Sequence, residues 1–328
     1  MNQETGVIDI QPIFDLCAED MDAVNGLIRD SLDSDVVLIR QIAEYIIGSG
    51  GKRLRPMLVC LSARACGYRG WDHVPLAAIV EFIHTATLLH DDVVDESDMR
   101  RGQQSAHSVW GNASSVLVGD FLYSRSFQMM VEVGSMRVME VLSNATNLIA
   151  EGEVEQLLNM HDPEVSEERY YKVIEKKTAK LFEAACQLGA VLANSRDKEA
   201  DMASYGRALG TAFQVADDVL DYSGDGEKLG KNVGDDLSEG KPTLPLILCR
   251  KNLARDEQRM IDGAIRDGKV EHLGQIMEFI VSSGALRRSR QQARAYALAA
   301  KDAIEGFEES EWTKAMRSLA EYSIKREF

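Results

Sequence analysis

Two acidic clusters in this sequence share the same spacing. Each places two adjacent aspartates, and a third aspartate three residues later, at the end of an apolar stretch, "TATLLHDDVVD" in one case and "GTAFQVADDVLD" in the other. On a helix, the first and last carboxylates of each cluster stand one turn apart on the same face. Because like charges repel more strongly where solvent is excluded, such clusters require positive charge nearby. The clusters are Asp91, Asp92 and Asp95, and Asp217, Asp218 and Asp221.

Cations follow both clusters, although a solvated helix end is the simplest interpretation of either cluster alone. Arg100 and Arg101 come shortly after the first cluster, and Lys231 and Lys241 follow the second in a glycine-containing segment. Arginine and lysine are common partners of phosphate groups, and Mg²⁺ typically combines one or two carboxylates with water and phosphate oxygens. The pattern therefore predicts a site for Mg²⁺ and a diphosphate, with Gln214 on the same helix face as the second cluster.

The remaining sequence predicts the helices that must position these clusters. Hydrophobic residues make up 45% of the 328 residues, and only 6 residues are proline. Apolar side chains recur at i, i+3, i+4 and i+7 in stretches such as "EFIHTATLLH" and "LFEAACQLGAVLA", which is the period of an amphipathic helix. Neither a low-complexity linker nor an internal repeat divides the chain. We therefore predict an all-α protein in which residues 1–328 form a single large domain.

The charge balance excludes several classes of partner. Lysine and arginine number 37 and aspartate and glutamate 53, so the formal net charge is −16. That charge argues against a nucleic-acid surface, whereas bound metal ions can still recruit an anionic substrate. Neither a signal peptide nor an apolar run of transmembrane length is visible. The five cysteines lack metal-ligand spacing. We expect a cytoplasmic protein with no transmembrane segment and no nucleic-acid partner.

Further motifs occur in a fixed order along the chain. They are "GKRLRP" at 51–56, the first cluster with its arginines, "KT" at 177–178, "FQ" at 213–214 and the second cluster. In this order they resemble the trans-isoprenyl diphosphate synthases, the polyprenyl synthetase family. The segments "HTATLLHDDVVDESDMRRG" and "GKNVGDDLSEGKPTLPL" are most similar to bacterial members that make octaprenyl products. The resemblance implies an all-α bundle around a central apolar cavity, a homodimer, and Mg²⁺-dependent transfer between isopentenyl diphosphate and an allylic diphosphate such as farnesyl diphosphate.

The resemblance also implies roles for individual residues. The implied catalytic set comprises both aspartate clusters with Lys177, Thr178 and Gln214, and the implied direct Mg²⁺ ligands are Asp91, Asp95 and Asp217. Contacts to the allylic diphosphate are implied for Arg100, Lys177, Thr178, Gln214, Lys231 and Lys241. Contacts to isopentenyl diphosphate are implied for Lys52, Arg55, His84 and Arg101. Helix geometry independently supports one of these assignments, because His84 lies two turns before Asp91 on the same face.

Small residues precede the first cluster. Thr87 and Ala86 stand four and five positions before Asp91, and the resemblance implies that bulky aromatic residues there stop chain growth early. We therefore predict a long-chain all-trans polyprenyl diphosphate synthase, with an octaprenyl product or one of neighbouring length, for the side chains of quinones such as ubiquinone. Three alternatives are a shorter-chain farnesyl or geranylgeranyl synthase, a terpene cyclase, and a non-catalytic regulatory subunit.

Overall fold

The structure, a computed structural model, describes residues 8–223 and 234–325. Within these ranges, α-helices are joined by short turns, with one π-helical segment at Glu175–Ala179 and one hairpin formed by β1 (Met99–Arg100) and β2 (Gln103–Gln104). The helices are α1 Gln11–Leu16, α2 Ala18–Ser31, α3 Val37–Gly48, α4 Leu54–Ala65, α5 His73–Val94, α6 Ala106–Trp110, α7 Asn112–Val133, α8 Met136–Asn159, α9 Glu167–Ile174, α10 Lys180–Leu192, α11 Arg196–Asp221, α12 Asp235–Ser238, α13 Leu244–Arg250, α14 Arg255–Asp267, α15 Leu273–Ser282, α16 Ala285–Ala303 and α17 Glu311–Lys325.

Helix α5 carries the first aspartate cluster at its C-terminal end. Most of its 22 residues are apolar, and buried positions occur all around it, as expected for a helix in the centre of a bundle. Asp95 caps the C-terminal end of this helix, and its backbone N–H donates to the carbonyl of Asp91 at 2.8 Å. The hairpin then turns through Arg101 and Gly102, which both have positive φ angles. This turn returns Arg100 to the helix end.

Helix α11 carries the second cluster, also at its C-terminal end. Asp197 and Glu199 lie in its first turn, where acidic groups interact favourably with the helix dipole. Gly206 allows α11 to lie close to α10, because a Cβ atom there would stand 2.4 Å from the carbonyl oxygen of Phe182. Gly210 lies against the end of the π-helical segment in the same way. The close packing therefore brings that segment beside the second cluster.

Two apolar cores hold these helices together. The larger core joins side chains from α1 to α8, α10, α11, α16 and α17. The smaller one lies between α9, the C-terminal end of α11 and helices α13–α16, and it buries Tyr222 completely. The prediction of an all-α fold is confirmed, since the strands of the described ranges comprise only the short hairpin. None of the helices in those ranges is long and apolar enough to cross a membrane.

Candidate active site

Lysines from two other elements contact the outer aspartates of the first cluster. The Nζ atom of Lys177, in the π-helical segment, lies 3.5 Å from Asp91 Oδ2. Lys241, which follows α12, donates to Asp95 Oδ2 at 2.7 Å. Burial lowers the pKa of Lys241, but the charges of Asp95 and other nearby acids outweigh burial and raise that pKa. The cluster is therefore balanced by ammonium groups that keep their charge.

Glutamates that the sequence did not single out hold the same two lysines. Glu153 of α8 lies 2.5 Å from Lys177 Nζ, and Glu239 lies 2.6 Å from Lys241 Nζ. Burial raises the pKa of Glu153 to about 7, Lys177 opposes that shift, and the hydrogen-bonded carboxyl of Asp91 adds to it. Both glutamates occur in acidic stretches without a distinctive spacing. Pattern alone could therefore not separate them from charges on a solvated helix face.

The middle aspartate of the first cluster has a different environment. Asp92 is fully buried, and Arg100 contacts its Oδ1 atom through Nε at 2.7 Å and through a terminal nitrogen at 2.6 Å. The sequence assigned Arg100 to the allylic diphosphate. The Arg100 side chain remains 24% exposed, and a guanidinium has five N–H donors. Arg100 can therefore hold Asp92 and still donate to a ligand.

A chain of hydrogen bonds connects the π-helical segment to the second cluster. The Thr178 hydroxyl donates to Gln214 Oε1 at 2.9 Å, and Gln214 Nε2 donates to Asp218 Oδ1 at 2.8 Å. The Tyr170 hydroxyl donates to the other Asp218 oxygen at 2.5 Å. Burial and the charge of Asp236 raise the pKa of Asp218 to about 7, although both hydrogen bonds lower it. The wider turns of a π-helix often occur at functional sites, and here the π-helical segment places the Thr178 hydroxyl beside Gln214.

The contacts place both clusters at one site. Lys177 contacts the first cluster, while the next residue, Thr178, contacts the hydrogen-bond chain of the second. Lys241 contacts Asp95 through its ammonium group and donates its backbone N–H to the carbonyl of Asp236 at 2.8 Å. The two helix ends that carry the clusters therefore lie near each other. Lys231, for which the family resemblance implied a contact with the allylic diphosphate, lies outside the described residues.

The residues assigned to isopentenyl diphosphate lie near the N-terminal end of α4. Arg55 donates a hydrogen bond to His84 Nε2 at 3.0 Å and covers the ring of Phe182. Burial and the neighbouring arginines lower the pKa of His84 well below its ordinary range, so the imidazole is neutral and can accept this hydrogen bond. Burial also lowers the pKa of Arg55 to about 10, while the charges of Glu81 and Asp217 oppose that shift. The charge of Asp217, in the second aspartate cluster, therefore acts on Arg55.

Lys52 and Arg101 complete the basic group. A terminal nitrogen of Arg101 donates to the carbonyl of Gly50, and a Cβ atom at Gly51 would stand 2.6 Å from the Arg101 guanidinium. The φ angle of Gly51 is +124°, so the glycine serves both the turn and the close contact. The ammonium of Lys52 contacts the Tyr322 hydroxyl of α17. This contact joins residues 270 positions apart, so sequence pattern gave no indication of it.

The two positions assigned to chain length lie one turn or more before the first cluster. Ala86 is completely buried, and Thr87 is partly buried with its hydroxyl donating to the carbonyl of His84 at 2.8 Å. Helix α5 packs along α7 in this region. Ala86 is part of the larger apolar core, so a bulky side chain there would have to displace its neighbours.

The acidic groups fit a divalent metal ion that prefers oxygen ligands. Asp92 Oδ2 and Asp95 Oδ1 are buried and lack a hydrogen-bond partner, and a buried carboxylate oxygen is costly to leave without one. The charges that face these acids belong to lysine and arginine side chains. Carboxylate oxygens favour Mg²⁺ or Ca²⁺ over softer metals. The donor set therefore fits a divalent-metal site at this cluster.

Comparison with known proteins agrees with the all-α fold and identifies the class of enzyme. Residues 36–280 match the polyprenyl synthetase family, and the chain belongs to this family. Its members are metal-dependent prenyltransferases, so the protein is an enzyme of that class.

Three relatives cover nearly the whole chain. Octaprenyl diphosphate synthase of Escherichia coli is 51% identical over 98% of this chain and 100% of its own length. The all-trans-nonaprenyl-diphosphate synthase (geranyl-diphosphate specific) of Rhodobacter capsulatus is 40% identical over 96% and 98%. A crystal structure of polyprenyl synthase from Caulobacter crescentus, complexed with calcium and isoprenyl diphosphate, has a TM-score of 0.93 and 46% identity over 98% of this chain and 99% of that chain.

Proposed function

We propose that this enzyme is a long-chain all-trans polyprenyl diphosphate synthase that adds isopentenyl diphosphate units in succession to an allylic diphosphate. Farnesyl diphosphate is the proposed primer and octaprenyl diphosphate the proposed principal product. One observation supports the proposal. Lys177 and Lys241 contact the first aspartate cluster, Thr178 beside Lys177 contacts Gln214 of the helix that carries the second, and the charge of Asp217 acts on Arg55 of a separate basic group. A condensation between two diphosphates requires two such anion sites beside each other.

The acidic side of the site would hold the allylic diphosphate. We assign Asp91, Asp95 and Asp217 as Mg²⁺ ligands, and Mg²⁺ bound there would supply positive charge to the diphosphate as its bond to carbon breaks. Lys177, Lys241 and Arg100 would donate to the same phosphate oxygens. Asp92 and Asp218 are buried against protein donors. Their proposed part in catalysis is to fix Arg100 and Gln214 in place.

Departure of the diphosphate would leave an allylic carbocation that needs a polar but non-nucleophilic environment. Thr178 donates its hydroxyl proton to Gln214, so the oxygen lone pairs of Thr178 remain available to stabilise positive charge on the reacting carbon. Asp218 in turn fixes the orientation of the Gln214 amide. We propose that this chain of hydrogen bonds orients the Thr178 hydroxyl before the substrate arrives.

The basic side of the site would hold isopentenyl diphosphate. Lys52, Arg55 and Arg101 would bind its phosphate groups, and the neutral His84 would fix the direction of the Arg55 guanidinium. The double bond of isopentenyl diphosphate then attacks the carbocation, and the adduct loses a proton to the departing diphosphate. Apolar walls keep water from the carbocation.

Four further assignments belong to this proposal. We propose that residues 1–328 form one domain. We also propose that the chain is a homodimer, because large apolar side chains remain exposed on α7 and α8 and exposed apolar surface often marks an interface. They include Leu117, Val131, Val154, Leu157 and Leu158. The five free cysteines support a reducing, cytoplasmic location. The product would supply the side chain of a quinone such as ubiquinone.

Product analysis tests the proposal directly. The purified chain is incubated with Mg²⁺, farnesyl diphosphate and labelled isopentenyl diphosphate, and the dephosphorylated products are separated by reversed-phase chromatography. We expect an octaprenyl alcohol as the main product, with no added protein subunit. A main product of farnesyl or geranylgeranyl length, a cyclised hydrocarbon, or activity only with a second subunit would overturn the proposal.

A further inference from the structure

The same arrangement of charges occurs twice beside the first aspartate cluster. The ammonium of Lys177 lies between Glu153 at 2.5 Å and Asp91 at 3.5 Å. The ammonium of Lys241 lies between Glu239 at 2.6 Å and Asp95 at 2.7 Å. In each case one partner is an aspartate of the cluster, and the other is a glutamate from a different element.

The two glutamates are themselves held in place by the fold. Glu153 lies on the long helix α8, and the Gly152 beside it lies against the backbone of Lys177, where a Cβ atom would stand 2.7 Å from the Lys177 nitrogen. Glu239 accepts a hydrogen bond from the Ser97 hydroxyl at 3.3 Å. Its neighbour Gly240 accepts a hydrogen bond from the backbone N–H of His161 at 2.8 Å. The backbone around both glutamates is therefore held by the fold, and Glu239 has a second side-chain partner in Ser97.

A metal ion changes what these lysines can contact. On the function proposed above, Asp91 and Asp95 are metal ligands, and a divalent cation bound to them removes their negative charge from Lys177 and Lys241. Each lysine side chain is less than one fifth exposed, so an ammonium without another anion would be costly there. The glutamates are the acidic side chains that remain beside the two lysines.

We propose that Glu153 and Glu239 are positioning residues that hold Lys177 and Lys241 against the allylic diphosphate once the metal has taken the aspartates. This inference rests on the proposed function. The glutamates touch neither substrate nor reacting atoms in this arrangement. They act through the two ammonium groups, whose fixed positions lower the cost of binding a diphosphate.

Binding of inorganic pyrophosphate tests the inference without requiring chain elongation. Calorimetry at saturating Mg²⁺ compares the wild type with Glu153→Gln and Glu239→Gln, which keep the side-chain shape and remove the charge. We expect each variant to bind pyrophosphate about tenfold more weakly. Glu155→Gln is the matched control, because Glu155 lies on the same helix and pairs with Lys172 and Lys176 on the surface. This control should bind as the wild type does.

Two further measurements separate positioning from other roles. Glu153→Gln should add no further loss to Lys177→Ala, since Glu153 acts through that lysine. The KM for the allylic diphosphate should rise in both variants, while the KM for isopentenyl diphosphate stays within about twofold. Additive losses, an equal rise of both KM values, or the same loss in Glu155→Gln would each overturn the inference.

The remaining outcomes are equally decisive. Unchanged pyrophosphate affinity in both glutamine variants would overturn the inference, as would a weaker response to Mg²⁺ with unchanged affinity for pyrophosphate at saturating metal. The second result would make the glutamates metal ligands. A wild-type enzyme that elongates nothing would instead defeat the proposed function, and pyrophosphate binding would still decide the inference.

Discussion

The two aspartate clusters have the same spacing but different electrostatic environments. Cations balance the first cluster, where Lys177 and Lys241 contact its outer aspartates and Arg100 contacts its middle one. Neutral hydrogen-bond donors surround the middle aspartate of the second, because Tyr170 and Gln214 donate to Asp218. Identical spacing therefore does not imply identical chemistry. The surrounding elements determine which carboxylates stay charged.

The middle aspartate is buried in both clusters, and its role differs from that of the outer aspartates. Asp92 fixes an arginine, and Asp218 fixes a glutamine. Asp91 and Asp95 instead face the lysines of the site. The difference suggests that changes at outer and middle positions should have different consequences, and the following predictions test that distinction in order of decreasing effect.

Removing an outer aspartate from both clusters should have the largest effect. In a double variant Asp91→Ala and Asp217→Ala, the site loses a proposed metal ligand from each side, and kcat should fall by on the order of 10³-fold or more. Turnover is measured with labelled isopentenyl diphosphate, and a melting curve checks that the variant is folded. Asp256→Ala, an exposed position, is the control. Undiminished turnover in the double variant would contradict the shared metal site.

Substitution of the middle aspartate should lower the free energy of unfolding by different amounts in the two clusters. Asp92→Asn leaves the Arg100 guanidinium without its carboxylate, and the free energy of unfolding should fall by about 2 kcal/mol. The partial exposure of Arg100 keeps this below the cost for a fully buried pair. Asp218→Asn should cost less than about 1 kcal/mol, because the pKa of Asp218 is raised to about 7 and an amide can still accept from Gln214. Urea unfolding measures both. A larger loss for Asp218→Asn would reverse the comparison.

The residues seven positions before each cluster should differ in how they change stability with pH. They are His84 on α5 and Gly210 on α11, so only the first helix carries a titrating group there. Burial and the nearby arginines lower the pKa of His84 well below its ordinary range, so the folded protein binds fewer protons than the unfolded chain. Stability from this group is present above the unfolded pKa of about 6.5 and is lost as pH falls below it.

His84→Gln should therefore reduce the loss of stability in acid. The wild type loses up to about 1.4 kcal/mol per pH unit through this group below the unfolded pKa, and the glutamine variant lacks that contribution. Urea unfolding of both proteins at about pH 7.5 and pH 5.5 measures the difference. Parallel losses in the two proteins would show that His84 is protonated in the folded state.

The sequence predicted the features that depend on short periods. Helical spacing indicated the all-α fold and placed three carboxylates on each helix end, and the fold is as predicted. The pairing of Arg100 with Asp92 depends instead on the positive φ angles of the hairpin. Glu153 and Tyr322 reach the site from distant helices. Such contacts depend on how helices pack, and periodicity within one helix contains no information about them.

Substitution four or five positions before a cluster should have the smallest effect on rate and the clearest effect on product length. Before the first cluster they are Thr87 and Ala86, whereas before the second they are Phe213 and Ala212. The ring of Phe213 lies 5.6 Å from that of Phe182, so two aromatic side chains pack together at this position of α11. We expect the room for a growing apolar chain to lie along α5, where small side chains precede the cluster.

Ala86→Phe should close that room and shorten the product by several isoprene units, while the first condensation slows by less than about tenfold. Chromatography of dephosphorylated products measures length, and labelled uptake in the first cycle measures rate. Ala86→Ser, which adds almost no volume, should leave the length unchanged. Because Ala86 is completely buried, a melting curve must show that Ala86→Phe is folded. A folded Ala86→Phe enzyme with an unchanged main product would mean that the chain grows along a helix other than α5.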